Sequence, residues 1–129
     1  MEFPPILFYM IILIADDSAL IRSNLGKLIT QKIEDINLKN SSDVKNTLRN
    51  LYSLPVDVLI LDIQFPDGSG LDVLRYLKNH PDRPFIIVLT NNSRQKIREQ
   101  SLHLGADLFF DKTEEYEKVV EEIVRLNNR

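Results

Sequence analysis

The chain has 129 residues, 43% of them hydrophobic and 27% charged, which suits one domain that buries its own core and excludes disordered and fibrous classes. It holds no cysteine, so neither a disulfide framework nor a thiolate zinc site is available and a cytoplasmic setting is the default. A net charge of −3 with scattered Lys and Arg lacks the basic footprint of a phosphate-backbone binder, and no nucleic-acid partner is expected.

Ile6 to Ala15 is a run of ten apolar residues behind Met1-Glu2-Phe3-Pro4-Pro5. A signal peptide would carry a basic leader and a small-residue cleavage site, whereas this run meets Asp16 and Asp17. It is also far shorter than the roughly 20 residues of a bilayer-spanning helix, so no membrane partner is expected. The run reads as a buried strand ending at Ala15, with residues 1–8 an extension of unknown role and 9–129 the folded domain. Ser18 caps a first helix with Ile21, Leu25, Leu28 and Ile29 on one face. A second strand is placed within Ile36 to Lys39, and Ser41 or Ser42 opens a helix bearing Val44, Leu48 and Leu51 that Pro55 stops. Val58 to Asp62 is a third strand, and beyond the turn Pro66 to Gly70 lies a helix with Leu71, Leu74 and Leu77.

Phe85 to Thr90 is the fourth strand. The helix from Ser93 to Leu104 has only Ile97, Leu102 and Leu104 to pack and is expected to be the least firmly held, closing on Gly105 in a left-handed conformation. Leu108 to Phe110 is the fifth strand, and Tyr116, Val119, Val120, Ile123 and Leu126 stripe the last helix. His80 and His103 fall on helix segments and read as solvated surface residues without a metal role. Short apolar runs alternating with helical patterns give a doubly wound α/β fold with a parallel sheet covered on both faces.

In such a sheet the strand C-termini share one edge, where function gathers. Asp16 and Asp17, Asp62, Thr90 and Lys112 all lie at or just beyond strand ends, although the chain separates them by up to 96 residues. Three carboxylates brought together repel unless a cation sits among them. Oxygen ligands without Cys or His suit Mg²⁺, or Mn²⁺, and suit zinc badly. An Asp beside a metal and a Lys is a plausible phosphoryl acceptor, because the cations offset the repulsion between an anionic donor and an anionic nucleophile. Singly, each residue has an ordinary reading: an N-cap for Asp16 or Asp17, a strand terminator for Asp62, a loop start for Thr90, a solvated side chain for Lys112. Their joint placement at successive strand ends is what favours a site.

The segments LIADDSALIR, LILDIQFPDGSGLDVL, FIIVLT and GADLFFDK resemble the response-regulator receiver domains of two-component signalling, from Met10 to the end of the chain. The resemblance implies a flavodoxin-like fold with five strands in the order 2-1-3-4-5. It implies that Asp62 accepts a phosphoryl group from a phosphohistidine on a sensor histidine kinase or histidine phosphotransfer protein. By the same resemblance Asp17, Asp62 and the backbone carbonyl of Gln64 bind Mg²⁺, with Asp16 acting through a water. Lys112 bridges the phosphoryl oxygens, Thr90 swings its hydroxyl onto them, and Phe109 follows as the switch aromatic. That movement reshapes the face of the fourth helix, fifth strand and fifth helix, offered to an output protein or a second copy. Such a domain is not an enzyme beyond its own phosphoryl transfer and hydrolysis.

Three departures from the family pattern matter, one of them covering two positions. Asn91 stands where a small residue is usual and narrows access to Asp62; Asn92 and Gln64 occupy positions that tune the lifetime of the acyl phosphate. Thr113 follows Lys112 in place of the usual cis proline, so the Lys112–Thr113 peptide is expected to be trans, with an altered loop and a shifted ammonium. If these changes disable the site, the alternative is an interaction module that works without phosphorylation. A flavodoxin cofactor site lacks its phosphate loop, and a dinucleotide site lacks its glycine-rich turn. With no appended output domain in these residues, output falls to a docking partner, dimerisation or onward phosphoryl passage.

Overall fold

The computed structural model describes residues 9–128, so the extension expected at residues 1–8 lies outside the described residues. The elements run β1 (Met10–Ala15), α1 (Ala19–Lys32), β2 (Ile36–Ser41), α2 (Val44–Ser53), β3 (Val58–Leu61), β4 (Gln64–Phe65), β5 (Gly68–Ser69), α3 (Gly70–Leu77), β6 (Phe85–Thr90), α4 (Gln95–His103), β7 (Leu108–Asp111) and α5 (Tyr116–Asn127). Five of the strands form one parallel sheet in the order β2-β1-β3-β6-β7, which among its own strands is the expected 2-1-3-4-5. β4 and β5 form a small antiparallel hairpin that the periodicity did not announce, since two-residue strands carry no period to read.

The apolar strands are buried because both faces of the sheet are covered. Alternation along each strand divides the core in two. Leu13, Ala15, Leu59, Leu61, Ile86 and Val88 pack with Val44, Leu51, Val73, Leu74 and Leu77 of α2 and α3, with Ile97 of α4 against them. Ile12, Ile14, Val58, Ile60, Ile87 and Leu89 pack with Leu25 and Ile29 of α1 and Val119, Val120 and Ile123 of α5. In α4 Ser101 alone is fully buried, as the thin apolar stripe of that helix foretold.

Several boundaries differ from those expected. β2 runs on to Ser41, and α2 is opened by Asp43, whose carboxylate accepts from Asn46 N–H at 2.7 Å. Ser41 instead meets Thr47 hydroxyl to hydroxyl at 2.6 Å, a buried pair at the sheet edge that removes it from capping. The first two amides of α2 are taken by Asp67 of the hairpin turn, which accepts from Val44 at 2.8 Å and Lys45 at 3.1 Å. Hydrogen bonds from these amides hold the Asp67 carboxyl below the usual range. β3 ends at Leu61, before Asp62, and β7 extends to Asp111. α4 begins at Gln95, preceded by Arg94 with no side-chain cap, two residues later than expected. Gly105 has the positive φ (108°) foreseen for it.

Gly70 has the tightest backbone approach. Its N–H bonds to the Ile63 carbonyl at 2.7 Å, and a Cβ at this position would lie 2.1 Å from the Asp62 carbonyl oxygen. α3 can therefore start directly against the segment that carries Asp62 only if residue 70 lacks a side chain. Gly70→Ala is expected to lose about 1–3 kcal/mol of stability, the cost of overpacking at an unyielding site, as measured by urea unfolding.

Candidate acidic site

β1 and β3 are neighbours in register, Ala15 opposite Leu61, so the residues that follow them, Asp16 and Asp62, leave the sheet side by side. The Asp62 N–H bonds to the Ala15 carbonyl at 2.9 Å and continues the ladder one step beyond β3. Asp16 is 3% exposed and Asp62 6%, whereas Asp17 faces solvent. One oxygen from each of these three carboxylates lies within 4.8 Å of the others, a spacing that could hold a metal ion. β1 to β2 on one side and β1 to β3 on the other is the reversal of winding that opens a crevice at the strand ends.

Lys112 arrives from the far side. β7 pairs with β6, Asp111 opposite Thr90, and the Lys112 N–H bonds to the Thr90 carbonyl at 3.0 Å. From there its ammonium reaches over β6 to Asp16 Oδ2 at 2.6 Å and Asp62 Oδ2 at 2.8 Å, with the lysine side chain 7% exposed. The trans Lys112–Thr113 peptide thus leaves the ammonium in direct contact with Asp62, and among the described residues no peptide is cis. Lys112 is a buried ion-pair partner, not a solvated surface residue.

Burial pushes the Asp16 carboxyl up from its ordinary value, and the Asp62 charge adds to that. The bond from Lys112 and the Ser18 N–H to Oδ1 at 2.9 Å counter it without cancelling it. For Lys112 burial opposes the charge, but the hydrogen bonds and negative charges of Asp16 and Asp62 together outweigh burial and hold its pKa above that of a free lysine. An ammonium shared by two carboxylates, one hydrogen-bonded to its own following amide (Ile63 N–H to Asp62 Oδ1, 2.7 Å), makes a preassembled acidic pocket with one cation already in place.

The other expected residues are nearby. Thr90 is 1% exposed, and its hydroxyl accepts from the Asn92 N–H at 3.1 Å. Gln64, Asn91, Asn92, Ser93 and Arg94 line a cavity of about 380 Å³, with Asn91 and Gln64 exposed and the Asn92 Oδ1 buried without a partner. Phe109 is buried in the core beneath α4, and the Arg98 guanidinium lies 5.5 Å from its ring centroid and 3.4 Å from its carbonyl oxygen. His103 is exposed on α4 as expected. His80 is not: it lies past the end of α3, half-buried, its ring 5.8 Å from that of Tyr76, and its Nδ1 is buried without a partner. Neither histidine is near the acidic site, whose metal-capable cluster is made of aspartates alone.

Three contributors were not read from the sequence. Arg22 donates to the Asp16 carbonyl at 2.6 Å and pins the turn after β1, where its place off the apolar face of α1 was the only signal. Tyr116, assigned to the core stripe, has a buried hydroxyl with no partner, and burial and the Asp16 charge push its phenol up. Asp111 accepts from Thr113 N–H at 2.7 Å.

A parallel five-stranded α/β domain with an acidic pocket bridged by lysine defines a recognisable class, and comparison with known proteins places the chain within it. The response regulator receiver domain model matches residues 12–124. Response regulator RR06 of Streptococcus pneumoniae is 31% identical over 98 residues, 76% of this chain and 44% of that protein. A protein-glutamate methylesterase/protein-glutamine glutaminase of Treponema denticola is 31% identical over 107 residues, 78% of this chain and 28% of that protein. This chain therefore spans less than half the length of these relatives. Among solved structures, the isolated receiver domain of RcsB from Salmonella enterica serovar Typhimurium, with the phosphomimetic BeF3−, is 31% identical with a TM-score of 0.72, covering 81% of this chain and 78% of that one. The BeF3-activated DrrB receiver domain has the same fold, with a TM-score of 0.81 at 22% identity over 95% of this chain and all of that one. The chain belongs to the response-regulator receiver-domain family.

The charge arrangement makes the loss of Lys112 costly. Lys112→Met leaves Asp16 and Asp62 buried together, and removing one partner of a buried pair costs about 3–5 kcal/mol. Asp16 already titrates above its ordinary value, and a group raised in the folded state contributes stability present at low pH and lost as pH rises through its folded pKa. The deficit of the variant should therefore be greatest at neutral pH and shrink towards pH 4, in metal-free urea unfolding; equal deficits at both would show that charge is not the cause.

Proposed function

We propose that this receiver domain is a phosphorylation-operated switch whose acceptor is Asp62, loaded from a phosphohistidine on a sensor kinase or phosphotransfer protein. The observation that carries this reading is the Lys112 ammonium held 2.8 Å from Asp62 and 2.6 Å from Asp16 beside a third carboxylate. Asp16, Asp17 and Asp62, with the Gln64 carbonyl, would hold Mg²⁺, whose bound form supplies neutralising charge for the phosphoryl oxygens. An Asp62 oxygen forms the new O–P bond as the P–N bond of the donor breaks, and the electron pair leaves on the imidazole nitrogen, which takes up a proton. Lys112 exchanges a carboxylate oxygen for a phosphoryl oxygen at little cost, because its charge stays paired throughout. Thr90 gives up the Asn92 amide to donate to the phosphoryl group, and Phe109 follows, altering the face made by α4, β7 and α5.

Gln64, Asn91 and Asn92 line the entrance and set the lifetime of the acyl phosphate. The partners are then the phosphodonor and a protein, or a second copy, reading the α4 face in the cytoplasm. RcsB, similar over 93% of this chain, has been solved as dimers bound to DNA; here the basic side chains are spread over several helices, which favours protein over nucleic acid as the direct partner of this domain. No helix of the described residues is long and apolar enough to cross a membrane. The aspartate cluster has no histidine with it, so the esterase chemistry named for one relative is not proposed for this chain.

Acetyl phosphate with Mg²⁺ should add about 80 Da to the wild-type chain, read by intact mass, and none to Asp62→Asn; equal gain in both would sink the assignment. Mg²⁺ at about a hundredfold over its Kd should stabilise the wild type by about 2.7 kcal/mol in urea unfolding, an effect lost in Asp17→Asn. Stabilisation of both to the same degree would remove Asp17 from the site.

A further inference from the structure

The segment that carries Lys112 into the site is exposed and has little apolar anchorage: Thr113 and Glu114 face solvent, and the first buried residue of α5 is Val119. What holds its backbone is a set of hydrogen bonds. The Lys112 N–H goes to the Thr90 carbonyl at 3.0 Å, and the Glu115 N–H to the Asp111 carbonyl at 2.8 Å. The Thr113 N–H goes to Asp111 Oδ1 at 2.7 Å, and the Asp111 N–H to Glu115 Oε1 at 3.2 Å. Three of these four run through Asp111. The Thr113 hydroxyl also bonds to Asp111 Oδ1.

Residues 111–115 thus make one capped helical turn. Asp111 plays the part of an N-cap, offering its carboxylate to an amide two residues on, and Glu115 reciprocates onto the Asp111 amide, in the manner of a capping box. The Ser93 and Thr113 hydroxyls and the Thr113 amide hold the Asp111 carboxyl down to about 2, so it accepts these bonds as an anion at any physiological pH. Lys112 is the first residue inside the turn. A lysine side chain carries about 2 kcal/mol of rotamer entropy, so the direction of its stem depends on how firmly the backbone beneath it is held.

We propose that Asp111 is a positioning residue for Lys112: by capping the turn 111–115 it aims the ammonium at Asp62. It touches neither the phosphoryl group nor the metal-binding carboxylates. The inference rests on Asp62 being the acceptor.

The test follows the initial rate of phosphorylation by acetyl phosphate and Mg²⁺ in the wild type, Asp111→Ala and Asp111→Asn, by intact mass, with Mg²⁺ affinity measured alongside by amide NMR shifts. Asn caps as well as Asp and keeps the acceptor for the Thr113 amide, whereas Ala removes it. Asp111→Ala should be slower by roughly tenfold, since an ångström of misplacement can cost about a hundredfold, while Asp111→Asn stays within about twofold of wild type. Mg²⁺ affinity should be no weaker in either variant. A wild-type rate in Asp111→Ala, an Asn variant as slow as the Ala variant, or a parallel loss of Mg²⁺ binding would each overturn the proposal. No mass gain in the wild type would instead overturn the phosphoacceptor reading on which it rests.

Discussion

One ammonium between two buried carboxylates is the constraint around which the strand ends are organised. Asp16 and Asp62 emerge from adjacent parallel strands in register, so their proximity follows from the sheet, and their repulsion is the price of that geometry. Lys112, crossing from β7, is the side chain that bonds both. Its reach requires β6 and β7 to be in their observed register and the turn beyond β7 to be held, which ties the site to the far edge of the sheet.

Several loops are held by aspartates acting as caps. Asp43 and Asp67 together take amides at the start of α2, Asp67 from a hairpin in a different βα unit, and Asp72 closes a capping box with Ser69 at the start of α3. Asp111 does the same for the turn after β7. Several of the carboxylates of this acidic chain are thus occupied by backbone amides. The three at the strand ends also face one another, and two of them, Asp16 and Asp62, share a lysine in addition to a backbone amide each.

Most of the fold was legible because buried parallel strands are short apolar runs and their helices carry a 3.6-residue stripe. β6 was read to the residue, and the strand order followed from family resemblance and is seen in the sheet. The site was legible for a related reason: Asp16, Asp62, Thr90 and Lys112 sit at strand ends, positions that the apolar runs themselves point to. What escaped was local polar chemistry. Ser41 and Ser42 looked like caps, but a cap is chosen by which side chain the backbone presents to a free amide, and that was Asp43. The β4–β5 hairpin, Arg22 and Asp111 act through short-range polar contacts, which leave no periodic trace. His80 was misplaced because its ring packs beside Tyr76 only once α3 has ended.

The Arg98 stack on Phe109 sets an energy scale. α4 has one fully buried residue, no side-chain cap at its start, and an arginine over an aromatic ring as a tie to β7. A cation–π contact at such an exposed helix is worth about 0.5–1 kcal/mol. Inverting a two-state population from 1:99 to 99:1 takes only about 5.5 kcal/mol of differential stabilisation. A helix held so lightly asks for a small fraction of that to be spent on breaking contacts. With the fewest buried residues of the five helices, α4 is compliant in the mechanical sense, while the sheet that carries the acidic site is stiff.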